Sequence, residues 1–253
     1  SLMPPEQLLS WGWRIPFLAS ILVVILAVLI RLTVTESPEF ERAKEHLDIA
    51  RIPIISAFAE NWRSILLVIL TALSPFFLQS LTATFGLGFA VAHGNSQADT
   101  LWMLTISNFL TIFATLAFAA LSDRVGRTKV MIVGFILGAV LVWIAFALLT
   151  LPSLAAVLVA FVLLTPIGNA MVTGPLAAYM ADLFPVHNRF TGVGISYQVA
   201  ATLAAGFAPL VATGLVGAAG GATFLLTGLV SVLGLVGVVA VILSRTVRMA
   251  GKA

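Results

Sequence analysis

The stretch LSDRVGRTKV, residues 121–130, sets one acid, Asp123, among three bases, Arg124, Arg127 and Lys129, between two long apolar runs. Side chains of these types either pair with opposite charges or stand solvated in a loop. A second group is neutral and lies inside the apolar runs: Gln79, Asn108, Asn169, Tyr197 and Gln198. An amide in hydrocarbon needs a partner. It either bonds a neighbouring helix, for about 0.6–2 kcal/mol, or faces a watery cavity where it contacts a polar ligand. Catalytic chemistry is not visible. The chain has no cysteine, and His46, His93 and His187 lie in separate loops. No ionisable residue falls near the centre of an apolar run, so no acid–base pair, metal set or cofactor cradle is expected.

The elements that carry these residues follow from composition. Only 9% of the 253 residues are charged, 60% are hydrophobic and the mean hydropathy is +1.13, against about 25% charged in a soluble domain. Such a chain lives in a membrane. A net charge of +3 therefore reports loop placement rather than nucleic acid, which is not an expected partner. A spanning helix needs about 20 mainly apolar residues, and seven stretches qualify: 15–32, 64–91, 101–122, 130–150, 153–180, 192–216 and 219–243. They are continuously apolar, unlike the alternating strands of a membrane barrel. The expected fold is all-α, a polytopic membrane protein with seven transmembrane helices.

Alternate threading puts 33–63, 123–129, 181–191 and 244–253 on one side, and 1–14, 92–100, 151–152 and 217–218 on the other. Every Lys and Arg except Arg14 then falls on the first side, with Arg31 at a helix end. The positive-inside rule makes that side cytoplasmic. Trp11, Trp13, Trp62 and Trp102 stand where an aromatic belt anchors helix ends, or where ordinary packing places them. The start, SLMPPEQLLS, lacks the basic and small-residue pattern of a signal peptide, and the chain reads as part of something longer. Residues 33–63 read as a cytoplasmic linker, with a short amphipathic helix expected at 39–51.

The six later spans form two triplets running in opposite directions. The first helix of each is interrupted, one by Pro75, Gly86 and Gly88, the other by Pro166, Gly168, Gly174 and Pro175. Broken helices at matching places of an inverted repeat point to a transporter site near the midplane, and Gln79 and Asn169 lie on them. Gly134 and Gly138, four apart, permit close approach of another helix. That fourth span lacks amides and is expected on the supporting, outer side.

LSDRVGRTKV resembles the D-R-x-G-R loop of the major facilitator superfamily, which recurs on the cytoplasmic side between the second and third helices of each six-helix half. WGWRIPF (11–17) followed by ESPEF (36–40), and DLFPVHNRFTGVGISYQ (182–198), are similar to its metabolite:proton symporter branch. Ala119, Thr128 and Asp182 depart from the usual residues but keep the charge pattern. The resemblance covers the second half of a family member. It implies that 1–14 is extracytoplasmic, that 15–32 is the sixth of twelve helices, and that 64–253 is the C-terminal six-helix bundle with a short cytoplasmic tail. The implied activity is proton-coupled symport of a small polar metabolite, a carboxylate or betaine-like osmolyte, by alternating access in the cytoplasmic membrane. The implied partners are substrate, protons, lipids and a missing N-terminal half that carries the proton-coupling acids. Gln79, Asn108, Asn169, Tyr197 and Gln198 would line the substrate cavity. Asp123, Arg124, Arg127, Lys129, Asp182 and Arg189 would form a cytoplasmic gate, with Asp123 at a helix N-terminus and both arginines paired to acids such as Asp182. The rival reading is a non-transporting membrane scaffold or degenerate remnant.

Overall fold

The computed structural model describes residues 5–33, 53–186 and 188–250. The expected amphipathic helix at 39–51, the ESPEF motif, His46 and His187 lie outside the described residues. The chain divides into two units between residues 49 and 50. In the first, a short helix, Pro5–Ser10, precedes the spanning helix α1 (Gly12–Ile30). The large apolar side chains of α1, among them Phe17, Leu22 and Val23, are exposed.

The second unit holds six spanning helices: α2 (Asn61–Ala92), α3 (Gln97–Val125), α4 (Arg127–Leu149), α5 (Leu154–Ala181), α6 (Arg189–Ala218) and α7 (Phe224–Arg245). With α1 they make seven helices long and apolar enough to cross a membrane, and no strand occurs among the described residues. One boundary differs from expectation. Helical structure begins at Pro53 rather than 64, because proline's fixed φ suits a first helical turn; the backbone then leaves helical geometry at Asn61 (φ −125°, ψ 22°), where α2 proper starts.

The triplets exchange partners. Helix α2 packs against α6 and α7, while α5 packs against α3 and α4, so the first helix of each triplet lies against the second and third of the other. This is the contact pattern of an inverted repeat. It buries α2 and α5 (67% and 61% of their most apolar windows) and leaves α3 and α6 open (11% and 22%). Helices α4 and α7 pack on each other, tied by Trp143 Nε1 donating to Ser231 Oγ at 3.0 Å and Ser231 donating to the Ala139 carbonyl at 2.7 Å.

Both interrupted helices carry a widened, π-type turn. In α5 it spans Leu163–Asn169. Pro166 has no N–H, and the ladder lengthens until the Ala170 N–H reaches the Thr165 carbonyl, five residues back. In α2 the turn spans Leu81–Gly86, beyond Pro75 and short of Gly88. A third widened turn, Thr202–Gly206 in α6, has no proline inside it; the Ser80 hydroxyl of α2 donates to its Ala205 carbonyl at 2.8 Å. Membrane helices tolerate such turns where protein covers the loosened backbone.

Glycines set how near α5 comes to its neighbours. A Cβ on Gly134 would stand 2.7 Å from Met171 Cβ, and one on Gly168 would stand 3.4 Å from the Gly138 Cα, so α4 and α5 touch backbone to backbone. On the other flank, a Cβ on Gly174 would stand 2.8 Å from the Thr115 carbonyl of α3. Backbone cannot yield as a side-chain end can. Gly174→Ala is therefore expected to destabilise the chain by about 1–3 kcal/mol, read as a lowered melting temperature in detergent. Gly88→Ala, which meets nothing within 4 Å, should leave melting unchanged or raise it.

Candidate functional site

A groove of about 500 Å³ runs between α2, α3 and α5. Gln79 of α2, Asn108 of α3 and Asn169 of α5 all line it, together with Thr82, Thr111, Thr115 and Thr165. Every polar group in this lining is neutral. Gln79 and Asn108 are exposed, whereas Asn169 is only 5% exposed and its Oδ1 has no hydrogen-bond partner. A buried amide oxygen left unpaired costs about 1–3 kcal/mol, energy that a donor reaching it would regain; Asn169 lines both this groove and a small cavity against α4.

The local sequence explains this placement. Asn169 closes the widened turn of α5, directly after Gly168, whose contact with Gly138 draws the helix inward. The Thr165 hydroxyl donates to the Phe161 carbonyl at 2.9 Å, one turn below, so Ser107 of α3 must be the donor in the 2.7 Å Ser107–Thr165 contact. That bond pins α3 to α5 beside the groove. The groove threonines were not singled out in the sequence, although Asn108, Thr111 and Thr115 recur at the three- and four-residue spacing of one helical face.

Tyr197 and Gln198 do not join this groove. Tyr197 packs edge-on against Phe76 of α2, with ring centroids 4.8 Å apart, and both α6 residues are exposed. They occupy the neighbouring α2–α6 flank, because the groove opens on the side of α2 that turns toward α3.

At one end of the bundle the charged loop meets the 181–188 connection. Arg127 donates to Asp182 at 2.6 Å and lies 3.5 Å from Asp123. Arg127 thus joins both acids, while Arg124, Lys129 and Arg189 have no ion pair among the described residues. Arg189 Nε is buried and has no hydrogen-bond partner. The expectation that Asp123 begins a helix is corrected. It lies in the last turn of α3, which runs to Val125 and stops at Gly126, whose φ of +106° only glycine adopts readily. The helix dipole therefore opposes Asp123 and favours Arg124 beside it; Arg127, four residues on, supplies the compensating charge. At the opposite end, Asn95 Nδ2 donates to the Ala90 and Leu151 carbonyls, both at 3.1 Å, joining the two short connections there.

A model of the Major Facilitator Superfamily matches residues 67–252. The shikimate transporter of Escherichia coli is 31% identical over 214 residues, covering 83% of this chain and 49% of the relative. The citrate-proton symporter of Klebsiella pneumoniae is 27% identical over 221 residues, 85% of this chain and 48% of the relative. The ectoine/proline transporter of Corynebacterium glutamicum is 29% identical over 224 residues, 80% of this chain and 42% of the relative. The chain spans about half the length of the curated relatives it matches. No solved structure matches it.

The Arg127–Asp182 pair is one-third to two-fifths exposed, and such pairs contribute about 0.2–1 kcal/mol. A double-mutant cycle with Arg127→Gln and Asp182→Asn, followed by melting of this chain, should return a coupling inside that range that shrinks as salt is added.

Proposed function

The chain belongs to the major facilitator superfamily, and from that premise we propose that it is the C-terminal half of a proton-coupled symporter that moves a small polar metabolite by alternating access. The observation that supports this most directly is the groove between the two interrupted helices, where Gln79, Asn108 and the unpaired Asn169 oxygen converge. In this reading the missing N-terminal half closes over α3 and α6, the two helices the bundle leaves open, and supplies the opposite wall.

The neutral lining supports a division of work between the halves. With no ionisable side chain among the described residues that line the groove, this half recognises hydroxyl, carbonyl or amide groups of the substrate. The charge that selects a carboxylate, and the acid that carries the proton, come from the other half. A shared site near the midplane then serves both access states. The ion-pair end, Asp123–Arg127–Asp182, faces the cytoplasm by the distribution of Lys and Arg and is the gate: its weak contacts hold one state and release for the other, so they bias the equilibrium without locking it.

Two outcomes test this. In the full-length protein, Gln79→Ala and Asn169→Ala should each lower uptake of the substrate about 2- to 12-fold, the effect of losing one hydrogen bond worth about 0.5–1.5 kcal/mol, at equal membrane abundance. Unchanged uptake in both would sink the groove reading and favour a scaffold. The 253-residue chain alone, in proteoliposomes with an imposed proton gradient, should show no concentrative uptake; accumulation against a gradient would refute the division of labour.

A further inference from the structure

A second pocket, of about 430 Å³, lies at the ion-pair end, lined by Ser122, Asp123, Gly126, Arg127, Thr128, Lys129 and Arg245. We propose that it binds the phosphate of an anionic phospholipid headgroup, held by Lys129 and Arg245.

Charge comes first. The lining carries three cations and one acid, and Arg127 is already committed to Asp123 and Asp182. Lys129 and Arg245 are left without an ion pair among the described residues, on two different helices that meet at one pocket. Both side chains are exposed and line one pocket, so their repulsion is screened but not abolished, and an anion between them would relieve it. The positive end of the α4 dipole and the negative end of the α3 dipole both reach the pocket and offset each other, so the two cations carry the attraction, and the half-buried Thr128 adds a hydroxyl.

Position names the source of the anion. The pocket is lined from the last turn of α3, the first turn of α4 and Arg245 of α7, whereas the groove proposed for transport lies between α2, α3 and α5. Every exposed residue of α4 between 133 and 147 is apolar, and on α7 Val239, Ile242 and Leu243 are exposed immediately before Arg245. In α3, by contrast, the exposed residues include Thr105 and Asn108. A pocket with two unpaired cations above a wholly apolar helix face matches a molecule that is anionic at one end and hydrocarbon below. Basic pockets of this kind between membrane helices select acidic headgroups.

The test uses the purified 253-residue chain in detergent and native mass spectrometry, titrated with phosphatidylglycerol, phosphatidylcholine or inorganic phosphate. The expected result is at least about tenfold tighter binding of phosphatidylglycerol than of phosphatidylcholine, reduced severalfold or more in Lys129→Gln/Arg245→Gln. The preference should persist in Lys129→Arg/Arg245→Lys and in the charge-matched control Arg14→Gln/Arg63→Gln. Equal melting in phosphatidylcholine micelles shows that the variants are folded, and the charge-keeping pair reads the site even where the glutamine pair melts lower. A preference that survives the glutamine pair overturns the assignment. So does a preference lost equally in the Arg14/Arg63 control, which makes it bulk electrostatics. Millimolar inorganic phosphate that binds or displaces phosphatidylglycerol fully overturns the lipid source in favour of a free-phosphate site.

Discussion

Backbone meets backbone where α5 crosses α4. Gly138 and Gly168 lie in backbone contact, a Cβ on Gly134 would stand 2.7 Å from Met171 Cβ and force α4 and α5 apart, and on the opposite flank a Cβ on Gly174 would stand 2.8 Å from the Thr115 carbonyl of α3. Helix α5 is thus wedged between two neighbours with no side chains to cushion the contact. Its widened turn sits in that wedge, and the position of the turn decides where Asn169 points. A membrane interior cannot solvate a loosened backbone, so the turn is tolerable only because α3, α4 and α2 enclose it. The groove's polarity and the helix packing are therefore one feature, since moving α5 outward by an ångström would both open the turn and withdraw the amide.

The charged end follows different physics. Its ion pair is partly exposed, so solvent and salt weaken it, and Asp123 works against the dipole of its own helix. A strong, buried pair at this place would fix the bundle in one state, because separating it would cost several kcal/mol. In the proposed transport cycle, a weak pair across two loops would adjust the balance between states and yield to binding energy from the groove. Gly126 makes the arrangement possible by ending α3 and starting α4 within a single residue, which keeps Asp123 and Arg127 one turn apart in sequence and within reach of Asp182.

The spans were legible because hydrocarbon imposes a length and an apolar content that the sequence must display, and the Gly134–Gly138 spacing signalled a helix contact because few other reasons place two glycines one turn apart on an apolar face. Asp123 was misplaced because the D-R-x-G-R pattern does not say on which side of its glycine the helix ends; that depends on the positive φ of Gly126, a backbone property. The breaks were legible as proline and glycine content but not as positions. In α2 the widened turn lies beyond Pro75, and in α6 one forms with no proline inside it, since neighbouring side chains such as Ser80 help decide where a ladder loosens. Tyr197 and Gln198 were grouped with Gln79 as cavity residues, though off the interrupted helices, because hydropathy gives depth, whereas lining a particular groove depends on the angle around the helix axis relative to its neighbours.

A neutral groove in a family whose relatives include carriers named for shikimate, citrate and ectoine or proline has a further consequence. Those names span anions and zwitterions, and one set of amides and threonines can hydrogen-bond to either. On the proposed reading, discrimination by charge falls to the facing half. Under that proposal, separating shape and hydrogen bonding on one wall from charge and proton on the other means that neither wall completes the site unless both close. Substrate and proton binding would, in the proposed arrangement, be coupled by geometry, because the acid that takes the proton would face the bound substrate across the groove instead of sharing a helix with its hydrogen-bond partners.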